Sequence, residues 1–164
     1  NYAVEDSTES TYIRLVSIPC EVSYMLPPGY SLQKGKGVAL TKGDTAIVFS
    51  YGPVMLSELC KASKLLKENH NFGLRVINMP WLNYIDQEWL CSEIGSIKSI
   101  FTLDNHLING GQGERIGAVI AQTGFNGITF RMFGLEEIPV CGRNNEVLEY
   151  YGLDALSLVN KILQ

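Results

Sequence analysis

Phe101-Thr102-Leu103-Asp104-Asn105-His106-Leu107-Ile108-Asn109-Gly110-Gly111-Gln112-Gly113-Glu114 is the most informative segment of the sequence. A β-prone run, Ile97 to Leu103, passes into polar residues, then into glycines, then into a helical pattern over about 112–123. In an open α/β sheet such a strand end is where ligands gather. Glycines let backbone amides approach an anion or another chain closely, and a helix N-terminus favours negative charge. Neither the phosphate-binding pattern Gly-x-x-x-x-Gly-Lys-Ser/Thr nor the dinucleotide pattern Gly-x-Gly-x-x-Gly is formed here. Two readings of Gly110, Gly111 and Gly113 therefore stay open: tight-turn glycines, or a weak anion site.

Outward from that stretch the same alternation repeats. Upstream, Leu74 to Met79 reads as a strand, and Asp86 as the N-cap of a helix over about 87–95. Farther back, Gly37 to Leu40 and Thr45 to Ser50 are apolar β-prone runs joined by the polar Thr41-Lys42-Gly43-Asp44, which reads as a turn between antiparallel neighbours. Gly52-Pro53 opens a helix over roughly 54–68, where Met55, Leu59, Ala62 and Leu66 make one apolar stripe. Downstream come a strand from Ile128 to Phe133 and helices over about 143–151 and 154–163, the last capped by Asp154. Strands alternating with helices at this spacing predict a three-layer α/β/α domain. Its five-stranded sheet is expected to be mostly parallel, with one antiparallel edge strand.

The first 34 residues break this rhythm. Tyr12 to Val16 reads as a short strand with no sheet of its own, after a polar and acidic opening. Residues 17–34 hold Pro19, Pro27, Pro28 and Gly29 without periodicity and read as an interdomain linker. The chain opens on Asn1 rather than Met, which fits a processed protein or a piece of a longer one.

Composition narrows the function classes. In 164 residues, 46% are hydrophobic and 18% charged, which is enough apolar material for a core and too little charge for a disordered chain. A net charge of −4 with scattered Lys and Arg argues against a nucleic-acid surface. Without a membrane-length apolar run or a signal peptide, a soluble protein that does not engage a membrane is expected. Cys20, Cys60, Cys91 and Cys141 are widely spaced, as are His70 and His106, so no metal site is expected. Reduced, buried thiols in a cytoplasmic protein fit the cysteines better.

Three further features bear on chemistry. His106 beside Asp104 could be a base with its orienting carboxylate, but sequence cannot bring Ser50 or Cys141 to it as a nucleophile. Trp81-Leu82-Asn83-Tyr84 is an aromatic loop suited to an interface or to the domain's own core. Arg14, in the run Tyr12-Ile13-Arg14-Leu15, suits a phosphate or carboxylate at a strand end, or a surface salt bridge.

Four segments together resemble the C-terminal domain of the transketolase family of thiamine-diphosphate enzymes. They are Gly35-Lys36-Gly37 with Lys42 to Val48 and Ser50-Tyr51-Gly52; Val76-Ile77-Asn78 with Pro80 and Asp86; Thr102 to His106 with Gly110-Gly111-Gln112-Gly113; and Tyr151-Gly152-Leu153-Asp154-Ala155. The third departs from the family pattern, having Asp104-Asn105 where two acids are usual.

The resemblance implies a domain over 35–164, a linker over 17–34, and a tail of a preceding pyrimidine-binding domain over 1–16. It implies a complete enzyme that moves a two-carbon ketol unit between sugar phosphates with thiamine diphosphate and Mg. That enzyme's cofactor-binding domains would lie upstream, fused or on a separate chain, in a homo-oligomer, a dimer. The diphosphate motif Gly-Asp-Gly is absent and Asn144-Asn145 lies far downstream of Gly43-Asp44, so no catalytic residue and no bound cofactor are expected in this chain alone. Its role would be dimer support, with ligand regulation left open. Arg14 matches a substrate-phosphate arginine. From the residues themselves, Asp104, His106, Gly110, Gly111 and Gly113 are the candidates for an interface or anion-binding loop. Related alternatives are the third domain of deoxyxylulose-phosphate synthase, the partner-binding third domain of a 2-oxo acid dehydrogenase beta subunit, and a free-standing small-molecule-binding domain.

Overall fold

The computed structural model describes residues 2–164; Asn1, at the head of the expected tail, lies outside them. Strands β1 (Val38–Ala39), β2 (Ala46–Ser50), β3 (Leu74–Asn78), β4 (Ser99–Leu107) and β5 (Thr129–Leu135) form one sheet in the order β1-β3-β2-β4-β5. The helices are α1 (Pro53–His70), α2 (Gln87–Ile94), α3 (Gln112–Gln122), α4 (Asn144–Tyr151) and α5 (Ala155–Leu163).

Strand β2 is central and every one of its residues is buried, as a parallel strand covered on both faces requires. Its side chains alternate between two cores. Ala46 and Val48 pack with Leu56, Leu59 and Leu66 of α1 and Leu158 of α5; Ile47 and Phe49 pack with Leu90 of α2 and Ile116 of α3. These cores make a three-layer α/β/α domain with a sheet parallel throughout except at β1. The stripe Met55, Leu59, Ala62 and Leu66 is buried as its spacing predicts. Removing each leucine from water contributes about 1.5–3 kcal/mol.

The antiparallel edge is built differently from the predicted hairpin. β1 pairs with β3, Val38 opposite Asn78, while β2 pairs with β3 in parallel on its other side. Residues 41–45 therefore cross the start of β3 instead of folding back beside β1. Thr41 Oγ1 donates to the Leu74 carbonyl and accepts from the Val76 amide, and the Thr45 amide donates to Gly73. A Cβ at Gly43 would stand 2.5 Å from the Gly73 carbonyl carbon. Only glycine lets the two backbones pass this closely.

Two further expectations change. Residues 12–16 carry no strand; they are exposed coil, because a strand needs a neighbouring strand to satisfy its backbone and none lies beside them. Strand β4 runs past Leu103 to Leu107, because β5 continues alongside it. Tyr2–Asp6 form a short π-helical turn. Among the described residues, no helix is long and apolar enough to cross a membrane.

Candidate functional site

Alternation along β4 sets the site. Ile100 packs into the core under α3, Phe101 and Leu103 into the core under α1, so Thr102 and Asp104 fall on the α3 side. Beyond Leu103 the pairing slips: Leu103 opposes Phe133 and Leu107 opposes Leu135, leaving Asp104, Asn105 and His106 against Gly134 alone. Such bulges re-aim side chains at sheet ends. A Cβ at Gly134 would meet the His106 carbonyl oxygen at 3.1 Å, so the bulge uses the space a side chain would take.

Asp104 is fully buried and its carboxylate fills the N-terminus of α3. Oδ1 accepts from the Gln112 amide at 2.7 Å and Oδ2 from the Gly113 amide at 3.0 Å. A Cβ on Gly111 would lie 2.7 Å from the Asp104 carboxyl carbon, and one on Gly113 would collide with Thr102 Oγ1. The glycines are thus wrapped around a carboxylate of the chain itself. Burial pushes the Asp104 carboxyl above its usual range, against the opposing pull of the Gly113 and Gln112 amides, the Tyr51 hydroxyl and the His106 charge. Tyr51, just past β2, is pushed up to about 12 by burial and then by Asp104, while Arg14 acts in the opposite sense.

The structure gathers all six expected site residues at this end of the sheet. Arg14, on exposed coil, donates from Nη2 to the Asn105 carbonyl at 3.2 Å. Gly110 takes the left-handed conformation, φ 76°, and its amide donates to Glu114 Oε2 at 3.1 Å. His106 is exposed, while the oxygens of Asp104 meet the helix amides rather than orienting an imidazole. Nor does Ser50 supply a nucleophile: its buried hydroxyl donates to the Leu103 carbonyl at 2.7 Å. Cys141 sits exposed between β5 and α4.

Sequence reasoning missed Tyr51, Gln112 and the role of Trp81. Gln112 is buried and its amide nitrogen donates to the Trp81 carbonyl at 2.7 Å, tying the aromatic loop to α3. Tyr2 stacks edge-on against Trp81, ring centroids 5.2 Å apart. The signal available for Tyr51 was its place directly after a buried strand, at the ligand-bearing end of the sheet.

The family model described as "Transketolase, C-terminal domain" matches residues 35–158. This chain belongs to the transketolase C-terminal-domain family. A transketolase C-terminal section from Methanocaldococcus jannaschii is 28% identical over 153 residues, covering 93% of this chain and 47% of that protein. The 1-deoxy-D-xylulose-5-phosphate synthase 2 of Geobacter sulfurreducens is 27% identical over 119 residues, 72% of this chain and 19% of that one. Among solved structures, a split-gene transketolase described as an inactive β4 tetramer superimposes with a TM-score of 0.75 at 25% identity, covering 88% of this chain and 45% of the other. The chain therefore spans about half of the first relative, or less than a quarter of the second.

Proposed function

We propose that this chain is the third domain of a thiamine-diphosphate enzyme moving a two-carbon ketol unit between sugar phosphates, and that it acts through assembly. The family match over residues 35–158 carries the reading. In this reading residues 1–16 are the tail of a preceding domain, 17–34 the linker and 35–164 the third domain. Support comes from the tail itself: Tyr12 is 92% and Leu15 83% exposed, apolar surface that an upstream domain would cover, whether fused or on a separate chain. The complete enzyme would be a cytoplasmic dimer. Arg14, held at the strand ends by the Asn105 carbonyl, would face a substrate phosphate there. Exposed His106 and the Gly110–Gly113 loop would meet the neighbouring domain or subunit, and a regulatory ligand would act at the same loop.

The residues of this chain do not fit a thiamine-diphosphate cradle. The α3 amides that would suit a diphosphate are taken up by Asp104, and the described residues hold no cluster of three or more His, Cys, Asp or Glu for Mg. No chemical step is therefore assigned to them. Calorimetric titration of the chain with thiamine diphosphate and Mg²⁺ should give no heat; saturable binding at micromolar concentration would contradict the reading. The second reading, the third domain of a deoxyxylulose-phosphate synthase, is favoured by the Geobacter relative and keeps the same structural role. Formation of 1-deoxy-D-xylulose 5-phosphate by the complete enzyme, in place of ketol transfer between sugar phosphates, would select it.

A further inference from the structure

The parallel register of β2 and β4 brings three side chains together where both strands end. Ser50 stands opposite Leu103, so the next residues along, Tyr51 and Asp104, are neighbours. One step further, Gly52 lies against Asn105: a Cβ on it would stand 2.9 Å from Asn105 Nδ2. Arg14 reaches the same place from the coil, its Nη2 3.2 Å from the Asn105 carbonyl oxygen. There the Tyr51 hydroxyl is within side-chain hydrogen-bonding reach of both the Asp104 carboxylate and the Arg14 guanidinium. A carboxylate only accepts and a guanidinium only donates, so the hydroxyl gives its proton to Asp104 and its oxygen accepts from Arg14. Burial, followed by Asp104, pushes Tyr51 up to about 12, which keeps that proton in place at neutral pH.

We propose that Tyr51 is a positioning residue, whose hydroxyl, anchored on Asp104, holds the Arg14 guanidinium at the strand ends to receive the phosphate of a sugar-phosphate substrate. The inference rests on the proposed function, in which Arg14 is the phosphate ligand. One side of the contact is rigid. Tyr51 is buried, and Asp104 is fixed by the Gln112 and Gly113 amides at 2.7 and 3.0 Å. The other side is not: among the described residues, no backbone–backbone hydrogen bond holds residues 8–26, so side-chain contacts must set where the Arg14 head lies. A guanidinium has five N–H donors. Spending one on Asn105 and one on Tyr51 leaves the others for a paired contact with phosphate oxygens, from a head group already oriented before the substrate arrives.

The test uses the complete enzyme, the natural polypeptide carrying this chain with any partner it needs. Its donors are a ketopentose 5-phosphate and the same ketopentose without the phosphate. Tyr51→Phe should raise KM for the phosphorylated donor on the order of 3–10-fold with kcat little changed, and leave kcat/KM for the free ketopentose as it was. Arg14→Ala should raise the same KM, and adding Tyr51→Phe to it should change nothing more, because the hydroxyl then has no guanidinium to hold. The ratio of kcat/KM between the two donors does not depend on the amount of folded enzyme, so it reads out even if Tyr51→Phe folds poorly. If Arg14→Ala spares the phosphorylated donor, the phosphate role of Arg14 fails and this inference with it. If Arg14→Ala impairs that donor but Tyr51→Phe does not, the positioning role alone is overturned. A Tyr51→Phe loss that is equal for both donors, or that persists beside Arg14→Ala, marks a merely structural tyrosine and overturns it too.

Discussion

The Asp104 carboxylate and the Gly113 amide meet at 3.0 Å inside the first turn of α3, with Gln112 completing the cradle at 2.7 Å. The glycine-rich loop and the end of β4 are therefore one unit. Asp104→Ala would leave two buried amides without acceptors, a loss of about 2–3 kcal/mol. Gly113→Ala, which drives a methyl into Thr102 and Asp104, should cost about 1–3 kcal/mol. Urea denaturation of both variants checks this; stabilities within 0.5 kcal/mol of the parent, as expected of an ordinary surface loop, would refute the cradle.

At the other end of the sheet, Gly43 passes over Gly73 where the chain crosses from β1 to β2. Gly43→Ala should cost more than about 2 kcal/mol, since backbone must move to admit the methyl. Gly124→Ala is the comparison: nothing stands within 4 Å of its Cβ, and its φ of 73° costs only about 1–2 kcal/mol. Equal losses at the two positions would contradict the crossing.

Asp154 caps α5, its Oδ2 accepting from Leu156 at 3.1 Å and Ser157 at 3.2 Å. Partial burial works to raise its carboxyl, but hydrogen bonds to Ser157 and the helix amides outweigh it, so the carboxyl lies below its usual value. A depressed carboxyl contributes stability above the unfolded aspartate pKa of about 3.9 and loses it as pH falls through the lower folded value. Asp154→Ala should therefore cost about 1 kcal/mol at pH 7, and the gap should narrow steadily once the pH falls below about 4. Urea midpoints from pH 7 to pH 3 measure it. A gap that widens towards acid would reverse the sign.

The thiols should separate by reactivity. Cys141 is exposed, whereas burial pushes Cys60 up to about 11. With iodoacetamide at pH 8 in the reduced folded chain, Cys141 should be modified many times faster than Cys60, and urea should abolish the difference. Equal rates in the folded chain would argue that α1 does not shelter Cys60.

Much of the fold was legible because burial leaves periodic marks. The stripe on α1, the apolar runs of β2 and β3, and the caps Asp86 and Asp154 each carry a local signal, and each is found in place. Pairing partners carry no such signal: the turn Thr41 to Asp44 is polar whether the chain folds back or crosses over, and only the Gly43–Gly73 approach distinguishes them. The extension of β4 was hidden because its last residues are polar, although Ile100, Thr102 and Asp104 share a two-residue spacing. Asp104 itself was visible as a candidate. That it binds its own helix, rather than serving His106 or leaving the amides to an anion, depends on a contact across eight residues that no spacing encodes.

The proposed function places this domain in a larger ketol-transferring enzyme. The most direct test is to capture the natural polypeptide carrying residues 35–164 from source cells with an antibody against this chain. The captured material is then sized and assayed for thiamine-diphosphate-dependent ketol transfer between sugar phosphates. A polypeptide much larger than this chain, or one with a stoichiometric partner, that transfers the ketol unit is the predicted result. A polypeptide of this chain's size, captured alone and inactive, would contradict the account.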